Sequence, residues 1–375
     1  MEKRIVPDRF HPGEYLRDEI EERGWTPSDF AEILGIERNV VSDIFVGRRS
    51  ISTELAVSLG QALGTSAQFW LNLQSAYKLA IEQRRDDGVA HRAKLFSLAP
   101  VRLMQKRNWI EEVNDTITLD KQICKFYRIK SIDEPIYFSH AARKSDDYDR
   151  VTPAQLAWLT RARNLAEVIQ VEDKFRDDKL DGLLGEIRLL TENLEDVRRV
   201  PRLLAKYGIR FLIVEYLPQT KIDGACFWLD GDSPVIVLSL RHDRIDNFWQ
   251  SLMHEVRHLQ NQDGKEQAIL DTAMVGRDAQ PFADKPKEEQ EADIFAATFL
   301  IDPAELEDFI IRVDPYFSRD KIQGFALRLR VHPGIVVGQL QHREIIKYSY
   351  FRPLLERVQN VISRSALIDG WGQTV

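Results

Sequence analysis

After Gly208 a chain otherwise written in helical periodicity changes to three short apolar runs, IRFLIVEYL, ACFWL and PVIVLSL. Their β-branched and aromatic content predicts strands, and the DGDS between the last two predicts a hairpin turn. The text then returns to helix in DRIDNFWQSLMHEVRHLQNQDG. A small sheet packed against helices, an α+β domain, is the arrangement this order demands. The chain has 375 residues, too many for one ordinary core, so two or three domains are expected. The predicted division is 1–88, 89–199 and 200–375, with the charged RRDDG at 84–88 marking the first boundary.

Composition narrows the class. At 43% hydrophobic and 30% charged residues the chain reads as soluble and globular. No apolar run approaches the roughly 20 residues a membrane span needs, and MEKRIVPDRF lacks the core of a secretory signal. The two cysteines, Cys124 and Cys226, are far apart in sequence with no CxxC pattern, which speaks against a disulfide framework or thiolate metal site. A cytoplasmic protein without membrane contact is expected. The net charge of −7 speaks against coating nucleic acid by bulk charge, but a small reading head needs only a few placed groups.

The helix after the strands contains His254-Glu255-Val256-Arg257-His258. Histidines four apart project from one helical face, so both imidazoles can bind one Zn²⁺ through neutral nitrogens. Glu255 lies about 100° further around the axis, where it can take a proton from an activated water. Phe248, Leu252 and Leu259 supply the apolar support. Such a string also occurs by chance, so a third ligand is needed. In KEEQEADIFAATFLIDP, Glu289 precedes Asp293 by four on a predicted helix carrying Ile294, Phe295 and Phe299. A glutamate from a second helix completes a His₂Glu site and leaves one position for water. Asp293, one turn on, is placed to hydrogen-bond a ligand histidine. Glu288 and Glu291 are rival ligands, and the i,i+4 relation to Asp293 favours Glu289. His242, His332, His342 and Tyr316 are further candidates for steadying a developing oxyanion, read more simply as surface or packing residues.

The first ninety residues are helical. GEYLRDEIEERGW places Tyr15, Leu16 and Ile20 near helical spacing, and Gly24 stops the run. Thr26-Pro27-Ser28 predicts an N-cap followed by proline in the first turn. In PSDFAEILGIERNVVSDIFV, Ala31 allows close helix approach, Gly35 allows a tight turn, and Val41 and Ile44 face inwards. Phe30, Leu34 and Ile36 complete the core of a helix-turn-helix. Two more helices follow, in TELAVSLGQALG and SAQFWLNLQSAYKLAIEQRR, making five. Between the ends lies a helical middle, with PAQLAWLTRARNLAEVIQV carrying a predicted stripe of Leu156, Leu159, Leu165 and Val168. LDGLLGEIRLLTENLEDVRRVPRLLAKYG reads the same way. No chemistry is evident in this middle, and it is expected to be a spacer or an interface.

Two family resemblances add to this. GRRSISTELAVSLGQALGTSAQFWLNLQSAYKLA, with its FWLNLQ and AY elements, resembles the HigA-type antitoxins among the lambda-repressor-like (XRE) DNA-binding domains, over roughly residues 9–85. That resemblance implies a helix from about Glu37 to Val46 in the major groove of operator DNA. Glu37, Arg38, Asn39 and Ser42 would face base edges, and Arg48 and Arg49 the phosphates. Residues 1–85 hold 11 Lys+Arg and 13 Asp+Glu, net −2, so moderate, salt-sensitive affinity raised by homodimerisation is expected.

The order DGACFWL, SPVIVLSL, DRIDNFWQSLMHEVRH and EQEADIFAATFL resembles the ImmA/IrrE zinc metallopeptidases over roughly residues 200–350. It implies a zincin-like fold. Its pattern E-x-x-A-[DN]-x-F-A selects Glu289 over its neighbours. HPGIVVGQLQHREII is similar to the winged-helix-like tail of such proteins. Two departures stand out: Arg257 where a small residue is usual, able to narrow the cleft or bring charge to the metal, and FLIDP as the closing segment. The combined resemblance implies a transcriptional regulator whose peptidase cleaves a repressor-type protein or itself. The alternative it implies is a HigA-type antitoxin that binds its operator and a RelE-like toxin.

Overall fold

The computed structural model describes residues 11–82, 87–136, 151–265, 268–272 and 282–372. Most of the expected RRDDG boundary lies outside them. The chain forms two compact units, 1–93 and 94–375. Among the described residues no helix is long and apolar enough to cross a membrane.

The first unit holds five helices: α1 (Pro12–Glu22), α2 (Pro27–Leu34), α3 (Arg38–Phe45), α4 (Thr53–Leu63) and α5 (Ala67–Glu82). Thr26 caps α2 reciprocally with Asp29, the capping box that typically contributes about 1 kcal/mol. Gly35 ends α2 in the left-handed region, at φ 64°, and turns the chain into α3. Leu16, Ile20, Phe30, Val41, Ile44, Leu59 and Trp70 form its core. Leu34 and Ile36 are only partly buried beside it. Tyr15 is 41% exposed and rests edge-on against Phe69 and Trp70.

Helix α6 (Asp87–Leu98) crosses from the first unit's residues to the second's. There follow α7 (Val101–Lys106), α8 (Thr116–Tyr127), α9 (Pro153–Ala166), α10 (Leu180–Arg188) and α11 (Val200–Lys206). The sheet begins with β1 (Arg210–Val214), β2 (Ile222–Trp228) and β3 (Pro234–Leu238). Next come α12 (Ile245–Gln260), β4 (Ile269–Thr272), α13 (Lys287–Leu300), α14 (Pro303–Val313), α15 (Arg319–Leu329), α16 (Pro333–His342), α17 (Gln359–Ile362) and β5 (Leu367–Asp369). The strand order is β4-β2-β3-β1-β5. β2 pairs antiparallel with β3 and β4, while β1 runs parallel to β3 and β5. The expected hairpin is present, and β4 and β5 extend the sheet beyond the three strands legible in the text.

Alternation along the strands divides two cores. Phe211, Ile213, Cys226, Trp228, Ile236 and Leu238 face α12 and its neighbours. Leu212, Val214, Ala225, Phe227, Val235 and Val237 face a layer that contains Ile123, Trp158, Leu159 and Leu165. The segment expected to be a spacer thus supplies one covering layer of the sheet. Its predicted stripe holds at Leu159 and Leu165, while Leu156 is partly buried and Val168, past the end of α9, is 66% exposed. The long helix expected from Leu180 breaks into α10, a 3₁₀ turn at Leu194–Arg199 and α11, where Pro201 opens the new helix. The tail expected to resemble a winged helix instead lays α16 into the core, with Ile335, Val336, Val337 and Leu340 buried, and sends β5 to pair with β1.

Candidate functional site

Helix α12 presents His254 and His258 on the face turned to the sheet and α13, and both side chains are fully buried. Their Nε2 atoms lie 3.0 Å apart. Glu289 of α13 reaches both, Oε2 at 3.2 Å from His254 and Oε1 at 3.4 Å from His258. The rivals turn elsewhere: Glu288 is exposed, and Glu291 is exposed with an oxygen 3.9 Å from Arg257. A fourth group, unread in the sequence, joins them. Asp271 of β4 is 2% exposed, its oxygens 3.6 Å from His254 Nε2 and 3.9 Å from His258 Nε2. One donor atom from each of the four residues lies within 4.8 Å of the others.

Each outer nitrogen lies beside a carboxylate. His254 Nδ1 is 3.0 Å from Asp293 Oδ1, and Lys285 Nζ braces the other oxygen of that carboxylate at 2.6 Å. His258 Nδ1 is 3.1 Å from Asp263, a second residue the sequence reading missed, in the turn that closes α12. An imidazole whose Nδ1–H faces a carboxylate leaves its Nε2 lone pair for a cation. Ligands at about 2.0–2.1 Å around a tetrahedral ion would be about 3.3 Å from one another, close to the 3.0–3.4 Å separations among His254, His258 and Glu289, while Asp271 stands slightly further off. The charges point the same way. Burial opposes protonation of His254, yet Asp271, Asp293 and Glu289 outweigh it and hold its pKa well above the ordinary imidazole value. Burial and then the Asp271 charge raise the pKa of Glu289. The residues therefore fit a divalent cation, which would take the place of shared protons.

Glu255 is fully buried, and neither of its oxygens makes a hydrogen bond. Burial, and next the charge on Asp271, push its carboxyl well above the usual range. The space it occupies is made by Gly224 on β2: a Cβ there would overlap Glu255 Oε1. Gly224→Ala is expected to cost about 1–3 kcal/mol in a denaturant melt and to displace the Glu255 carboxylate. An unchanged midpoint would show that the two do not touch.

Arg257 turns to a ring of α13. Its guanidinium sits 5.4 Å over the Phe295 ring, on a groove with Phe299. His332 caps α16 by accepting from Gly334 N at 3.0 Å. Tyr316 is 77% exposed. His242 and His342 line a cavity of 420 Å³ whose wall includes Asp293.

In the first unit, Glu37 precedes α3 as an N-cap without a side-chain hydrogen bond. Glu37, Arg38, Asn39 and Ser42 are exposed, as are Arg48 and Arg49 beyond Gly47. Arg48 lies 3.9 Å from Asp43, an exposed pairing too weak to hold it from a phosphate.

Residues 16–70 match the helix-turn-helix family model, and residues 205–332 match the IrrE N-terminal-like domain, an M78 peptidase model. The HTH-type transcriptional regulator YddM of Escherichia coli is 30% identical over 76 residues, 20% of this chain and 81% of that protein. Antitoxin HigA-1 of Vibrio cholerae is 40% identical over 68 residues, 18% of this chain and 64% of that protein. Among solved structures, Pseudomonas aeruginosa antitoxin HigA with the higBA promoter is 44% identical, covering 20% of this chain and 85% of that one, at a TM-score of 0.20. The chain belongs to the helix-turn-helix regulators. Its first unit resembles HigA antitoxins, and its second carries an IrrE N-terminal-like domain with a buried His/His/Asp/Glu cluster.

Proposed function

We propose that the chain is a DNA-binding transcriptional regulator whose second unit is a zinc endopeptidase that cleaves a regulatory protein, or the chain itself, in response to a signal. The observation that carries this reading is the meeting of two Nε2 atoms and Glu289 beside the buried, unbonded carboxylate of Glu255. Two imidazoles with carboxylate oxygens are a donor set suited to Zn²⁺. Bound Zn²⁺ supplies Lewis acidity towards a peptide carbonyl and acidifies a water. Glu255 accepts the proton of the attacking water and returns it to the leaving amide nitrogen. Asp293 and Asp263 fix the two imidazoles, and the cavity beside Asp293 has room for a substrate side chain. In the first unit, α3 would enter the major groove, two copies meeting a two-fold operator as a homodimer.

The likeness of the first unit to HigA-1 favours a second reading. In it the chain is an antitoxin that represses its own operon and neutralises a RelE-like toxin, the second unit sensing or binding without turnover. A short basic reading frame beside the gene would favour it.

The test is metal analysis of full-length chain purified without chelator, with cleavage assays on candidate partners. The metal-loaded chain is also expected to lose on the order of 10 °C in Tm with EDTA, since a ligand held a thousandfold above its Kd contributes about 4 kcal/mol. Absence of bound metal, with identical melting in EDTA, would sink both site and mechanism.

A further inference from the structure

We propose that Asp271 is a fourth protein ligand of the metal centre, filling the position that a catalytic water would need, so that the folded chain holds its metal in a latent state. This rests on the reading of the His254, His258 and Glu289 cluster as a metal centre.

Asp271 is 2% exposed, and neither of its oxygens makes a hydrogen bond. A buried carboxylate set against two imidazoles and the Glu255 carboxyl is costly unless a cation or a shared proton meets it. Its oxygens point between the two imidazoles, 3.6 and 3.9 Å from the Nε2 atoms. The distances among His254, His258 and Glu289 are 3.0, 3.2 and 3.4 Å. One donor atom from each of the four residues lies within 4.8 Å of the others, so protein donors from three elements surround one position. A peptidase site with two histidines and one glutamate leaves the fourth vertex open for water, whereas a closed vertex is the mark of a holding site.

The strand geometry explains how Asp271 comes to be aimed there. β4 pairs with β2 through Asp271 and Gly224, so both lie on the sheet face turned to α12. The register shifts between Ile222 and Gly224, an irregularity of the kind that re-aims a side chain near a site. Among the described residues β4 pairs with β2 alone and is four residues long, at the sheet edge. Withdrawal of Asp271 therefore breaks one short ladder and takes from the second core only the partly buried side chain of Leu270 on this strand. Peptidase competence follows when this carboxylate leaves and water takes its vertex.

The experiment loads the full-length chain with Co²⁺ and records its visible spectrum with and without acetohydroxamate, a bidentate ligand that needs an open coordination position. The wild-type spectrum is expected to be unchanged by acetohydroxamate. Asp271→Asn, and Asp271→Ala as a second variant, are expected to bind Co²⁺ at least about tenfold more weakly, since even outer partners of a ligand cost that much. Their spectra are expected to shift on adding acetohydroxamate. A wild-type spectrum that shifts like the variants' overturns the fourth ligand and leaves the metal centre standing. Failure of the wild type to take up Co²⁺ or Zn²⁺ overturns the metal centre itself. The wild-type arm decides the matter even where a variant does not fold.

Discussion

Replacing Glu255 with glutamine is expected to leave metal uptake at the wild-type stoichiometry and to lower peptide cleavage by about 10²–10⁴-fold, the usual worth of a positioned acid–base group. The comparison is read most directly in the Asp271→Asn background, where the fourth vertex is open. Glu255 does not belong to the cluster of four donor residues, so the amide has no reason to expel the metal. The same variant carries a stability signature. Burial and Asp271 raise the Glu255 pKa in the folded state, so wild-type stability is lost as pH climbs from the ordinary carboxylate range through that raised value. A glutamine has no such penalty. Metal-free Glu255→Gln should melt above metal-free wild type at neutral pH, and the gap should close as pH falls to the ordinary carboxylate range. Equal cleavage by both proteins would remove Glu255 from the mechanism. A gap independent of pH would remove the electrostatic account of its burial.

The second large effect lies in the first unit. Arg38→Ala and Asn39→Ala are each expected to cost about 1–3 kcal/mol against operator DNA, or roughly 5- to 150-fold, while leaving binding to scrambled duplex nearly unchanged. Both side chains are exposed on the first turn of α3. Arg48→Ala should weaken both duplexes alike and flatten the salt dependence, because a phosphate contact carries no sequence information. Fluorescence anisotropy at fixed salt separates the two patterns. Selectivity that survives the double substitution would place another element in the groove.

Much of this architecture was legible because its signals are local. Thr26 and Asp29 lie three residues apart, Gly35 marks its own turn, and the β2–β3 hairpin is written in consecutive text. Histidines at 254 and 258 sit four apart on a strongly amphipathic helix, and the carboxylate at 289 stands four before Asp293, so their faces could be assigned before their contacts were known. What escaped is held by distant partners. β4 has four residues and β5 three, too few for a periodic pattern, and β5 pairs in parallel with β1 some 150 residues upstream. Asp271 rides on β4 and was hidden with it. Asp263 left one faint signal, an acidic residue before Gly264 just after the helix. The contact of Arg257 was hidden for a related reason: its position on the helix was readable, but the Phe295 ring under its guanidinium comes from another helix.

The two-sided sheet has a consequence for how the protein can be divided. Residues from the 95–166 stretch and from β1–β3 share one core, so a fragment beginning near residue 200 would present Leu212, Val214, Phe227 and Val235 to water. Such a fragment should precipitate or bind hydrophobic dyes, whereas a cut near residue 94 spares that core. Genetic exchange obeys the same constraint: the reading head can be traded for another, but the helices behind it must travel with the metal centre as one inheritance.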